Sequence, residues 1–182
     1  MRMFIAVDVP RQEREKIAEA ASEIILCPAV RAAHAMHATL LFLGEQDEAR
    51  IPALTDALQE ACSKVGVFEI GCRGISAFPS RNQPRVIISP VVQGVEQLRL
   101  LHYLLERTIQ GGDSKRFSPH ITVGRVKHRH AVLPKLLKQP QFENHPSGSW
   151  TVGAVRLYQS VLAPDGAQYS LLSETALQEQ TL

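Results

Sequence analysis

One short pattern occurs twice in this chain, each time inside an apolar run. It reads Met36-His37-Ala38-Thr39-Leu40-Leu41-Phe42-Leu43-Gly44 and Pro119-His120-Ile121-Thr122-Val123-Gly124-Arg125. With seven His and seven Thr among 182 residues, chance supplies about 0.3 copies of His-x-Thr. Both runs are rich in β-branched or bulky residues and end near turn formers, so both read as strands. In a strand, residues two apart share a face, roughly 7 Å from each other. Each motif therefore presents an imidazole beside a hydroxyl on a stiff support. Two such pairs facing across a cleft would supply a general base, a general acid and two hydroxyl donors, a set suited to phosphodiester cleavage.

The rest of the chain alternates helices and strands. Residues 3–9 form a first strand that meets Pro10. Ile17, Ala20, Ala21, Ile24 and Ile25 give a helical stripe over 11–26. After the first motif strand (36–44), Asp47 caps a helix whose inward face is Ile51, Leu54, Leu58, Ala61, Cys62 and Val65. Val67–Ile70 and Arg85–Ile88 read as short strands around a loop. A helix over 94–110, with Val95, Leu98, Leu105 and Ile109 inward, stops at Gly111-Gly112. The second motif strand (119–126), a short helix near 131–138, and strands near 150–162 and 168–173 around the Pro164-Asp165-Gly166 turn complete the order. Strand, helix, motif strand recurs at both motifs, which predicts two related lobes meeting at a pseudo-twofold axis. The expected class is α+β: one bilobal domain over 1–182, antiparallel sheet in each lobe, helices outside, and an active-site cleft between.

Composition narrows the function. The net charge of +2 excludes a polycation as a whole. Between Asp113 and Lys138, however, seven Lys or Arg stand against one acid, and the second motif lies within this stretch. A basic field there suits an anionic substrate, although a solvated basic loop would look the same. Cys27, Cys62 and Cys72 lack zinc or disulfide spacing and read as reduced cysteines of an intracellular protein. No signal peptide or bilayer-spanning run is evident. His34 reads as a loop histidine rather than a metal ligand, His102 as a packed helix histidine, and His128 and His130 as surface residues. Phe78 reads equally as a base-stacking aromatic or a core anchor.

The ordered motifs resemble the two-histidine phosphoesterase superfamily, and within it the RNA 2′,3′-cyclic phosphodiesterases, historically called 2′-5′ RNA ligases. The resemblance extends to the opening Arg2-Met3-Phe4-Ile5-Ala6-Val7-Asp8-Val9-Pro10 and to the closing Leu157-Tyr158-Gln159-Ser160-Val161-Leu162 with Gly166 and Tyr169. It implies that His37 is the proton donor to the leaving oxygen and His120 the acceptor that activates water. Thr39, Thr122 and Arg125 would hold the phosphate. In an unbroken strand Arg125 would lie opposite His120 and Thr122, so it needs a bulge or strand end near Gly124 to reach them. The family often carries an aromatic shortly before the first motif and a Trp within 86–90. This chain has Arg31-Ala32-Ala33-His34 and Val86-Ile87-Ile88-Ser89-Pro90 there, which bears on base stacking.

The implied reaction is hydrolysis of an RNA 2′,3′-cyclic phosphate end to a 2′-phosphate, with no metal or cofactor, by a cytoplasmic monomer. The expected partner is an RNA or nucleotide bearing that cyclic phosphate, with no membrane. Alternatives within the same chemistry are 2′-5′ ligation and hydrolysis of an ADP-ribose-type cyclic nucleotide. A non-catalytic RNA-end-binding protein is the alternative from another class.

Overall fold

The two motif strands lie side by side at the middle of one long antiparallel sheet. The computed structural model describes residues 1–109, 117–163 and 166–179. Its strands are β1 (Arg2–Asp8), β2 (Val30–Ala32), β3 (His37–Glu45), β4 (Phe68–Arg73), β5 (Ser76–Ser80), β6 (Gln83–Gln93), β7 (His120–Val126), β8 (Pro146–Val152), β9 (Ala154–Ala163) and β10 (Gly166–Ala176). The sheet runs β10-β9-β1-β3-β7-β6-β4-β8, with β2 added beside β7 and β5 beside β6. β3 and β7, the motif strands, meet through the single pair Ala38↔Ile121. That pair is the seam between two halves of like order, as the duplicated pattern predicts.

Among the described residues six α-helices join the strands: α1 (Arg11–Ala20), α2 (Ser22–Ile25), α3 (Ile51–Cys62), α4 (Val95–Thr108), α5 (Leu133–Leu136) and α6 (Gln141–Asn144). Their apolar stripes face inward. Leu54, Leu58 and Ala61 of α3 and Leu98, Leu101 and Leu105 of α4 are buried, each large side chain contributing about 1.5–3 kcal/mol by leaving water. α4 packs on β3 and α3, whereas α1 crosses to β8. Each half of the sheet is therefore backed by a helix that arises in the other half. This is the expected α+β class of antiparallel sheet with outer helices. Among the described residues no helix is long and apolar enough to cross a membrane.

Four expectations need correction. The helix over 11–26 breaks at Ala21 into α1 and α2. The loop placed between Val67–Ile70 and Arg85–Ile88 contains β5, which pairs with β6 alone and so tolerates Pro79. The strand placed over 150–162 is two strands divided at Gly153, because β8 pairs with β4 while β9 pairs with β1 on the other side of the seam. The segment near 131–138 is only a short turn of helix, and a second turn, α6, follows it. Asp47 does cap, its Oδ1 accepting the Ala49 N–H at 2.9 Å, but it caps a 3-10 turn that leads into α3. The Gly111-Gly112 stop and the Pro164-Asp165 turn lie outside the described residues.

Glu13 fixes α1 against β8. Its buried carboxylate accepts the Ser149 N–H at 2.8 Å and the Lys16 Nζ at 2.7 Å. Burial opposes its charge, but those two donors outweigh burial and hold its pKa below the ordinary value. A lowered carboxylate pKa stabilises the fold above the ordinary carboxylate range, and that contribution is lost as pH falls through it. Glu13→Ala is expected to cost about 1–3 kcal/mol at neutral pH, with a smaller difference from wild type in acid. Urea denaturation at several pH values measures both.

Candidate active site

The two motifs share one burial rhythm. From His37 to Phe42, and again from His120 to Arg125, the sequence of positions is half-buried, buried, half-buried, buried, buried, exposed. Strict alternation fails at the same place in both, because each strand carries a bulge there. In β3, Ile5 pairs with Leu41 and Ala6 with Thr39, so Leu40 is the extra residue. In β7, Ile87 pairs with Gly124 and Ile88 with Thr122, so Val123 is the extra residue. A bulge moves the next side chains to the other face. Arg125 thus returns to the face of His120 and Thr122, and its charge acts on both His37 and His120. Gly124 permits this course, since a Cβ there would meet Val30 Cγ1 at 2.9 Å and the Arg31 carbonyl at 3.1 Å.

A bulge strands a backbone carbonyl unless something bonds it. The Leu40 carbonyl accepts Nδ1–H of His102 at 2.8 Å, from α4. The Val123 carbonyl accepts the Ala33 N–H at 2.9 Å. His102, stacked on Phe117 with ring centroids 4.3 Å apart, is thus the packed helix histidine anticipated, and it also supports a motif strand.

The antiparallel register at Ala38↔Ile121 sets His37 beside Thr122 and Thr39 beside His120, all on one face. The two imidazoles differ in their surroundings. His120 donates Nδ1–H to the Ser118 carbonyl at 2.7 Å, which leaves the Nε2 lone pair open. Phe78 lies edge-on to it at 4.9 Å. His37 lies opposite Asp8 in the β1–β3 register. Asp8 accepts the Tyr158 hydroxyl at 2.7 Å and a bond from Arg156. Phe4 and Tyr169 pack on His37 at 4.9 and 5.2 Å. Burial pushes His37 down to about 4. Asp8 pulls it upward, while His120 and Arg125 press it lower. Burial also lowers His120, against the Ser118 bond that raises it and with Arg125 lowering it further.

Five residues singled out in the sequence, His37, Thr39, His120, Thr122 and Arg125, therefore share one face. Phe4, Asp8, Arg156 and Tyr169 are site neighbours that the motifs do not announce. Phe4 and Asp8 could have been found from the alternation of β1, the strand that pairs with the first motif. His34 stands in the loop before β3, against Gly166. His128 is exposed, but His130 is half-buried, 3.8 Å from Cys27 Sγ, which corrects its placement on the surface. Lys127, Arg129, Lys135 and Lys138 are exposed beyond the site. Lys115 and Arg116 lie outside the described residues. A cleft of about 660 Å³ opens against His37.

Solved structures share this architecture along nearly their whole length. One from Thermus thermophilus aligns with a TM-score of 0.81 at 28% identity over 100% of both chains. LigT of E. coli complexed with 3′-AMP aligns at 0.78 and 25% identity over 98% of both. The fold and the paired motif strands thus define a LigT-like α+β protein. The family model of the 2′-5′ RNA ligase superfamily matches residues 9–162, and this chain belongs to that superfamily. It is 34% identical to an RNA 2′,3′-cyclic phosphodiesterase of Archaeoglobus fulgidus, over 93% of this chain and 96% of that one. It is 33% identical to one of Thermotoga maritima, over 96% and 94%.

Both imidazoles are expected to be neutral at pH 7 in the free protein. In an NMR titration His37 should protonate near 4 and His120 below the ordinary 6.5. Inorganic phosphate should raise both, because an anion favours the charged ring. A free-protein value of 6.5 or above for His37 would contradict the burial described.

Proposed function

We propose that the protein hydrolyses the 2′,3′-cyclic phosphodiester at an RNA 3′ end, yielding a 2′-phosphate and a 3′-hydroxyl. The observation that carries this reading is the inequivalence of two imidazoles that share one face. His120, its Nδ1–H tied to the Ser118 carbonyl, accepts a proton at Nε2 from water. The water oxygen bonds to phosphorus, the P–O3′ bond breaks, and its electron pair goes to O3′. His37 gives O3′ a proton. One proton is gained by His120 and one is lost by His37, and exchange with solvent restores both.

Asp8 is the carboxylate that favours a charged His37. Because burial makes that ring reluctant to hold a proton, it is a strong acid once the substrate's negative charge has brought the proton in. Thr39 and Thr122 donate hydroxyl bonds to the non-bridging oxygens, and Arg125 offsets their charge. Phe42 stands in the first motif at the position that Arg125 holds in the second, so the cation is on one side only. The two rings supply both proton transfers, so the reaction needs no metal. The names of the relatives and the nucleotide complex of LigT support an RNA or nucleotide substrate. The chain acts as one bilobal domain.

His37→Ala and His120→Ala should each lower turnover about 10²–10⁴-fold. A cyclic substrate with sulfur in place of the 3′-oxygen separates the roles, because a thiolate departs without a proton. His37→Ala should recover much of its rate on that substrate, and His120→Ala should stay impaired. The opposite pattern would exchange the roles. Recovery by neither would rule out acid–base catalysis by these rings.

A further inference from the structure

The cleft beside His37 is walled by residues of β1, α1, β8 and β9 and by none of β7. His37 forms part of its wall and His120 does not. Its volume of about 660 Å³ falls in the range of about 300–1,000 Å³ that takes a ligand of nucleotide size. Tyr158 and Tyr169 line it with half-buried rings, and the buried Trp150 closes its floor. The indole is fixed by its Nε1–H, which donates to the Asp8 carbonyl at 3.1 Å.

Among the described residues three arginines line this cleft, and two of them are already matched. Arg156 is held by Asp8 and Glu174, and Arg11 by Glu15. Arg14 is half-buried, and among the described residues its side chain has neither hydrogen bond nor ion pair. A guanidinium on the cleft wall without a carboxylate partner is free to bond a phosphate oxygen pair. Arg14 follows Glu13 on α1, and Glu13 bonds to Ser149 of β8, so the helix that carries the cation is fixed to the strand that carries Trp150.

The chemistry says which part of a substrate lies here. In phosphoryl transfer the entering and leaving oxygens are roughly in line. The leaving O3′ belongs to the ribose, so the ribose lies on the side of the acid, and water enters from the other side. We infer that the cleft beside His37 seats the terminal nucleoside of an RNA strand, and that Arg14 binds the phosphodiester on the 5′ side of that nucleoside. The substrate is then an oligonucleotide end rather than a mononucleotide. This rests on the hydrolytic reading and on His37 being the acid.

The test compares kcat/KM for three substrates: a 2′,3′-cyclic nucleotide with a free 5′-hydroxyl, the same with a 5′-phosphate, and a dinucleotide ending in the cyclic phosphate. Wild type should favour the dinucleotide over the 5′-hydroxyl nucleotide by at least about tenfold, the size of one charge-assisted bond. In Arg14→Gln this ratio should fall about tenfold, and Arg14→Lys should keep part of it. A wild-type ratio near one, or a ratio unchanged in Arg14→Gln, would overturn the inference. A gain with the 5′-phosphate alone would also overturn it, by assigning Arg14 to a mononucleotide. Turnover of none of the three would instead remove the hydrolytic reading beneath it. If Arg14→Gln fails to fold, the Arg14→Lys ratio and its salt dependence in wild type decide, since a second phosphate contact steepens the salt slope.

Discussion

The site depends on a matched pair of β-bulges, one just after the threonine of each motif. Without them, strict alternation would send Arg125 to the buried face of β7 and Phe42 to that of β3. Each bulge exists because its freed carbonyl has a donor: His102 Nδ1–H for Leu40 and the Ala33 N–H for Val123. The donors come from α4, which packs on β3, and from the chain just past β2, which pairs with β7. An arginine in the site is thus a consequence of how the chain is layered behind and beside the sheet. The seam at Ala38↔Ile121 then brings both motifs onto one surface.

The pseudo-symmetry of the backbone is broken by what surrounds it. On the His37 side stand Asp8, Phe4, Tyr158 and Tyr169. On the His120 side stand the Ser118 carbonyl and Phe78. Burial acts alike on both rings, whereas the carboxylate acts on one and the carbonyl bond fixes the tautomer of the other. Two copies of one motif can therefore do opposite jobs. The one-sided cation and the one-sided cleft follow the same asymmetry.

The motif strands and the helix stripes were legible in the sequence because each depends on local periodicity, and the repeated His-x-Thr pattern marked His37, Thr39, His120 and Thr122, whereas Arg125 entered through the family resemblance. The need for a bulge at Arg125 was legible too, since alternation and the expected role of that residue conflict. The bulge's place, expected near Gly124, is the neighbouring Val123; what holds it there was not legible, because a bulge is stabilised by donors distant in the chain. His102 looks like any packed histidine until α4 is placed on β3. The division of 150–162 at Gly153 was hidden for a similar reason: nothing local marks a chain that crosses from one half of the sheet to the other. β5 was hidden by Pro79 and its turn-forming neighbours, which only an edge position tolerates. Arg14 lies on the first turn of an amphipathic helix, where a lone arginine carries no message without the cleft it faces.

The most direct test of the central claim is to follow the phosphate through one turnover. RNA ending in a 2′,3′-cyclic phosphate is incubated in ¹⁸O-labelled water with excess chelator, and the product ends are mapped by mass spectrometry. The expected product carries a 2′-phosphate with one solvent oxygen and a free 3′-hydroxyl, formed at the same rate with and without chelator. A 3′-phosphate product, or turnover that stops with chelator and returns with a divalent ion, would contradict water attack governed by His37 and His120.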